Sequence, residues 1–152
     1  MDESFGRYFD SFVEGEVVVH PRSHVISLEE NLEFCEITKN DHPLHSNQAY
    51  AKESQHGKLV ISGPHVLALA VGLTVPEISG KAIANLSYES IQHHAPTFVS
   101  DLIRVETQII NKRASKTKPD RGLIKVKSTV FNQRGEMVMS FIRTVLIPMS
   151  GD

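Results

Sequence analysis

The sequence predicts an α+β fold in which an antiparallel β-sheet wraps around one long buried α-helix. Three observations carry that prediction. Gly63-Pro64 opens the most apolar segment of the chain, His65 to Leu73, which has almost no polar face. A helix apolar nearly all round must be buried on nearly all sides. The second half of the chain is rich in Val, Ile, Thr and Phe over 82–92, 102–110, 123–131 and 137–147, with alternation in Val126-Lys127-Ser128-Thr129-Val130. Such segments read as strands. No strand–helix–strand alternation occurs among them, so the sheet is expected to be antiparallel.

The elements follow in order. Tyr8 to Val17 is an opening segment with a turn at Gly15, and Val17-Val18-Val19 begins a strand that Pro21 bends or confines to a sheet edge. Ser27-Leu28-Glu29-Glu30 is a capping-box pattern, in which a hydroxyl and a carboxylate satisfy the unpaired amides of a helix start. Leu28, Leu32 and Cys35 then form a helical stripe, Cys35 as core packing, and the helix is expected to end near Thr38 or Lys39. A short helix is predicted over 47–53, with Tyr50 as its main apolar contact. Pro64 at the start of the apolar helix is an initiation signal, and Pro76 is expected to end it. Asn132-Gln133-Arg134-Gly135 is a turn between the last two strands, and Asp101 is a turn or cap residue. A sheet of this kind around one such helix is the hot-dog arrangement.

Composition narrows the function classes. A chain of 152 residues with 40% hydrophobic content reads as a single domain, 1–152, with a real core. A net charge of −2 gives no general attraction to nucleic acid or membrane, and no apolar run reaches the length of a membrane span. The acidic opening Met1-Asp2-Glu3-Ser4 lacks a signal-peptide pattern. A lone cysteine permits no intrachain disulfide, which fits a reducing cytoplasm.

The most informative stretch is Asn40-Asp41-His42-Pro43-Leu44-His45, which packs an amide, a carboxylate and two imidazoles around a rigid proline. A proline and the extended residue before it read as a rigid turn rather than a helix interior. His45 is the best candidate for proton transfer, because imidazole is the side chain whose ordinary titration lies nearest neutral pH. Asn40 has no useful basicity and is suited to orienting a water, while His42 shares acid/base work or Asp41 turns into the site instead. The two histidines lack the further ligands a metal site needs, so no metal is expected. His93-His94 are candidates to meet a carboxylate, or one of the pair simply faces solvent. Gly63 at a helix start offers unpaired N–H groups and a favourable dipole, with room for close approach. Read from the residues alone, a plain helix start is the stronger reading. Lys112-Arg113-Ala114-Ser115-Lys116-Thr117-Lys118-Pro119-Asp120-Arg121 is a basic loop at the sheet edge, either a solvated hairpin or a phosphate clamp.

These motifs together resemble a known family. The Gly6-Arg7-Tyr8-Phe9 opening with Gly15, the Thr38–His45 motif, Ala82-Ile83-Ala84-Asn85-Leu86, Ala95-Pro96 with Asp101, Lys112-Arg113 with Ser115-Lys116, and Met137-Val138-Met139-Ser140-Phe141 resemble MaoC-like hot-dog proteins over nearly the whole chain. The nearest branch is that of the mesaconyl-CoA hydratases and β-methylmalyl-CoA dehydratases, similar to type-2, R-specific enoyl-CoA hydratases. In the common type-2 motif an Asp, and an Asn two residues later, precede Pro-Leu-His; here those positions hold Asn40 and His42. The resemblance implies a hydro-lyase acting on a short acyl-CoA, either a branched dicarboxylic one such as mesaconyl-CoA or, as the close variant, the substrate of a plain R-specific enoyl-CoA hydratase, with no cofactor beyond the coenzyme A of the substrate. It implies Asn40, His42 and His45 as catalytic, and the backbone amide of Gly63 as the group that polarises the thioester oxygen. Arg113, Ser115, Lys116 and Lys118 then bind the phosphates of coenzyme A. One hot-dog domain leaves a long sheet edge open, so a homodimer or higher homo-oligomer is expected. Two other functions stay open: a hot-dog acyl-CoA thioesterase, and a non-catalytic acyl-CoA-binding subunit. The thioesterase normally wants a carboxylate base near the helix, and no acidic residue occurs between Glu53 and Glu77.

Overall fold

The computed structural model describes residues 5–151; the acidic opening Met1–Ser4 lies outside them. Five strands, β1 (Val17–Val25), β2 (Ala84–His93), β3 (Leu102–Ala114), β4 (Arg121–Phe131) and β5 (Met137–Pro148), form one sheet in the order β1-β3-β4-β5-β2. Every neighbouring pair is antiparallel, as the absence of crossover patterns predicts. Four helices lie on its inner face or beyond its end: α1 (Leu28–Ile37), α2 (Pro43–Ser46), α3 (Gln48–Glu53) and α4 (Gly63–Thr74). No helix among the described residues is long and apolar enough to cross a membrane.

The register explains the burial. Val105 faces Val130, which faces Met139; Thr107 faces Ser128, which faces Phe141; Ile109 faces Val126, which faces Arg143. Directly opposed residues share a face, so these rows all point at the helix. The row nearer the start of β5 joins Ile61, Val66, Ala70 and Leu73 in one apolar cluster. The other end holds a second cluster around Phe9, Phe12, Ile78, Ile124 and Ile147. Between them runs a buried polar layer. The buried His20 ring bonds Glu77 Oε2 at 2.6 Å and Thr107 Oγ1 at 2.8 Å, and Thr107 meets Ser128 at 2.8 Å.

Several local expectations are corrected. The Ser27 hydroxyl accepts the Glu30 N–H at 3.1 Å, but the Glu30 carboxylate does not complete the capping box. It instead bonds His24 at 2.6 Å and the buried His65 at 3.1 Å, tying β1, α1 and α4 together. The buried stripe of α1 runs through Asn31 and Cys35, with Leu32 40% exposed. On α3 the buried residue is Ala51, and Tyr50 is half-exposed. On α4, His65, Val66, Ala70, Leu73 and Thr74 are buried, while Pro64, Ala68 and Gly72 form an open face one turn apart. Pro76 does not stop the chain turning: α4 passes into a π-helical turn over Val75–Ser79. The carbonyl that proline orphans four residues back belongs to Gly72. It is satisfied by the Val75 N–H and by the Arg22 guanidinium at 2.6 Å.

The basic segment is not a loop at the sheet edge. Lys112, Arg113 and Arg121 lie within β3 and β4, and only 115–120 form the tip of a hairpin between two inner strands. Lys112 is drawn inward, donating to the Phe12 carbonyl at 2.8 Å, and Arg121 pairs with Asp120 at 2.8 Å. The last turn is as expected: Gly135 has φ 72°, and Asn132 Oδ1 accepts from Arg134 and Glu136 amides. Asp101 is likewise a turn residue, accepting from the Phe98 N–H at 2.9 Å and from Gln133 at 2.8 Å.

Burial makes stability pH-dependent. Desolvation pulls both His20 and His65 below the ordinary imidazole value, outweighing the nearby Glu77 and Glu30 carboxylates. A depressed folded-state value means that the unfolded chain binds more protons on acidification. The stabilisation is therefore complete above the unfolded value of about 6.5 and is lost as pH falls below it. Thermal melts are expected to show a lower midpoint at about pH 5.5 than at about pH 7.5. A midpoint that rises on acidification contradicts this.

Candidate active site

The site begins where α1 ends. Lys39 adopts φ 59°, the Lys39 N–H bonds the Glu36 carbonyl at 3.2 Å, and the Asn40 N–H bonds Cys35 at 2.9 Å. This is a Schellman ending, with a lysine where glycine is usual. Asn40 Oδ1 then accepts the His42 N–H at 3.2 Å, and His42 Nδ1 accepts the Leu44 N–H at 3.1 Å as the cap of α2. Pro43 thus opens a helical turn instead of a loop, and His45 rides on that turn.

His45 is held from three directions. Asn31 on α1 donates to its carbonyl at 2.7 Å, and the Val60 N–H bonds the adjacent Leu44 carbonyl at 3.3 Å. The ring Nδ1 lies 2.6 Å from the Val60 carbonyl oxygen. A carbonyl only accepts, so Nδ1 carries a proton, and in the neutral ring the lone pair falls on Nε2. The ring is thereby fixed in the tautomer a base needs.

His45 and Gly63 border one cavity of about 500 Å³, with His56, His93, His94 and Thr97 and an apolar wall including Val66 and Met139. No Asp, Glu, Lys or Arg among the described residues lines it. At the start of α4, Pro64 has no N–H, and the His65 and Val66 N–H groups both bond the Ser62 carbonyl, at 3.1 and 3.2 Å. Gly63 is the remaining donor of that first turn. Glycine lets the His93 ring lie against this turn: a Cβ would overlap the ring Cε1 and come within 2.9 Å of Nε2, and would push the ring aside.

The sequence-predicted set is only partly assembled. The structure brings His45 and Gly63 together. It leaves Asn40 and Asp41 on a separate depression with Cys35, Glu36 and Ser46. His42 is spent on its cap, 5.7 Å ring to ring from His45 and edge-on to Tyr50. Arg113, Ser115, Lys116 and Lys118 are at the far end of the sheet. Arg121 pairs with Pro148, whereas the cavity meets β5 at Met139, about 30 Å away along the strand. His93 and His94 do reach the cavity, and His94 Nε2 is 2.8 Å from Ser140 Oγ. His56 was missed; it sits in an irregular segment and carries no local signal.

The architecture is a hot-dog fold. A Mycobacterium tuberculosis protein described as having a double hot-dog fold matches it with a TM-score of 0.88 at 24% identity, over 97% of this chain and 46% of that one. The chain belongs to the mesaconyl-CoA hydratase family, whose model matches residues 2–151. It is 28% identical over 147 residues to a mesaconyl-CoA hydratase of Cereibacter sphaeroides, covering 97% of this chain and 43% of that protein. It is 28% identical over 142 residues to a β-methylmalyl-CoA dehydratase of Chloroflexus aurantiacus, covering 93% and 40% respectively. The chain thus spans less than half the length of these relatives.

Proposed function

We propose that this chain is a hydro-lyase that adds water to, or removes it from, the 2,3 bond of a short acyl-CoA thioester. The observation that carries the reading is that His45, its Nδ1 held on the Val60 carbonyl, and the Gly63 amide at the start of α4 border one cavity. His45 Nε2 takes a proton from water as the hydroxyl bonds to C3, and the electron pair moves onto the thioester oxygen. The Gly63 N–H at the positive end of α4 stabilises that oxygen. The imidazolium then returns a proton to C2 as the carbonyl re-forms, so both hydrogens of water are accounted for. One base serving both carbons implies addition to a single face. No cofactor or metal is needed beyond the coenzyme A of the substrate.

For the acyl group we favour a branched dicarboxylic one such as mesaconyl-CoA. The names of the relatives support this, as does a cavity with four imidazoles and no carboxylate side chain to repel a substrate carboxylate. Thioesterase chemistry has no acidic base in that cavity to rest on. The displacement of Asn40 from the cavity favours, as the second reading, a non-catalytic acyl-CoA-binding unit.

A second copy is proposed to complete the site. The β2 edge is open, with Leu86, Tyr88 and Ile91 all more than 40% exposed. Two-fold antiparallel pairing there buries them in a continuous sheet. It also sets the neighbour's Ala84 end, and with it the neighbour's basic hairpin, beside this chain's His93. The cations that cannot border their own cavity then approach the coenzyme A phosphates of the other. The expected species in sedimentation at micromolar concentration is a dimer or larger; a monomer contradicts the pairing.

The deciding experiment follows the enoyl-thioester absorbance with crotonyl-, mesaconyl-, itaconyl- and longer 2-enoyl-CoAs. Loss of the band with free thiol unchanged is the expected result. Release of thiol indicates a thioesterase, and tight binding without turnover indicates the non-catalytic unit.

A further inference from the structure

The end of β2 carries a one-residue slip in its pairing with β5. Glu89 faces Ile142 while Gln92 faces Ser140, so three steps of β2 match two of β5. The extra residue is accommodated at Ser90, a non-glycine residue with φ 51°. A serine in the left-handed region is held there by its surroundings at some expense in stability, and bulges of this kind re-aim the side chains that follow. Without the extra residue Gln92 would oppose Met139. With it, His93 does. Met139 is 1% exposed and belongs to the helix-facing row. The bulge therefore turns an imidazole, in place of an amide side chain, onto the inner face.

The ring it turns inward lies against Gly63. Its Nε2 and Nδ1 are 2.9 and 3.2 Å from the point a Cβ on Gly63 would occupy. Since a Cβ lies roughly 2.5 Å from its own backbone nitrogen, His93 Nε2 is no more than about 5.4 Å from the Gly63 nitrogen. Two donors at that separation can both reach one oxygen, each at an ordinary bond length of about 2.9 Å. Among the described residues neither ring nitrogen is engaged in a hydrogen bond within the chain, whereas His45 and His94 each have one ring nitrogen bonded.

We propose that His93 is a second donor to the thioester oxygen, working beside the Gly63 amide. The proposal rests on the acyl-CoA reading of the cavity. A neutral imidazole N–H suits the role. It strengthens its hydrogen bond as negative charge builds on the oxygen and gives up no proton in the step. It makes His93 a catalytic residue in addition to His45, and it accounts for the bulge at Ser90.

Two variants test it. His93→Phe keeps the ring volume without a donor, and His93→Gln places an amide N–H near the former Nε2. The Phe variant is expected to lose roughly 100-fold in kcat with KM changed by less than about threefold, and the Gln variant to stay within about tenfold of the parent. The second readout needs no turnover: the infrared carbonyl band of bound butyryl-CoA labelled with ¹³C at the thioester. It is expected to shift to lower frequency in the parent protein and to lose part of that shift in His93→Phe. Identical bound carbonyl bands in parent and Phe variant, or parental kcat in the Phe variant, overturn the proposal. The carbonyl band still reports on His93 if none of the enoyl-CoAs is hydrated, so failure of the hydratase reading and failure of this one are separable.

Discussion

Replacing His45 with alanine is expected to lower hydration by about 10³- to 10⁴-fold while leaving the fold and coenzyme A binding in place. The local structure explains why the two effects separate. What fixes the α2 turn is backbone: the Asn31 side chain on the His45 carbonyl, and the Val60 N–H on the Leu44 carbonyl. Neither contact involves the imidazole. The side chain contributes one hydrogen bond, to the Val60 carbonyl, and losing it costs about 1 kcal/mol. The chemistry has no such redundancy. With His45 gone, no carboxylate among the described residues lines the cavity to serve as base, and His93 and His94 sit across it on the β2–β5 side. Initial rates on the preferred enoyl-CoA, beside calorimetric titration with coenzyme A, check both halves. Near-parental turnover would remove His45 from the mechanism. Loss of coenzyme A binding with folding intact would make it a binding group instead.

What the sequence disclosed and what it hid divide along physical lines. Signals carried by a few adjacent residues were legible: Ser27 as a cap, Pro64 as a helix start, Gly135 in a turn, Pro21 on an edge strand. That His45 and Gly63 stand out was legible as well, because each combines a chemical type with a local backbone signal, and the fold sets both on one cavity. The errors arose where a residue's partner is distant in the chain. Glu30 follows the capping pattern but is claimed by His24 and by His65, 35 residues away. Pro76 reads as a stop until Arg22, across the fold, takes up the orphaned carbonyl. The basic segment reads as a loop at the sheet edge because charge is visible in sequence whereas sheet order is not. His93 depends on a one-residue slip in pairing with β5, which no periodicity in β2 announces.

The buried polar layer leads to the second large effect, a loss of stability in Thr74→Val. Arg143 is 2% exposed, and burial pulls its guanidinium below the ordinary value. Its one short bond runs from Nη2 to Thr74 Oγ1 at 2.6 Å, with weaker contacts to Asn85 and Ser79 at 3.4 Å and none at Nε. The Thr74 hydroxyl is meanwhile locked in place by donating to the Val71 carbonyl at 2.7 Å. Valine has the shape of threonine without the acceptor, so the substitution strands a buried cation and is expected to destabilise by about 2–3 kcal/mol. Arg143→Met removes the cation and joins the two apolar clusters, and is expected to fall within about 1 kcal/mol of the parent or above it. Added to Arg143→Met, Thr74→Val should then lose most of its effect, because the two residues act through one bond. Urea denaturation of both single variants and the double checks the ordering. If Arg143→Met is the more damaging single change, the polar layer is a net source of stability, and the contacts to Asn85 and Ser79 are stronger than their lengths indicate.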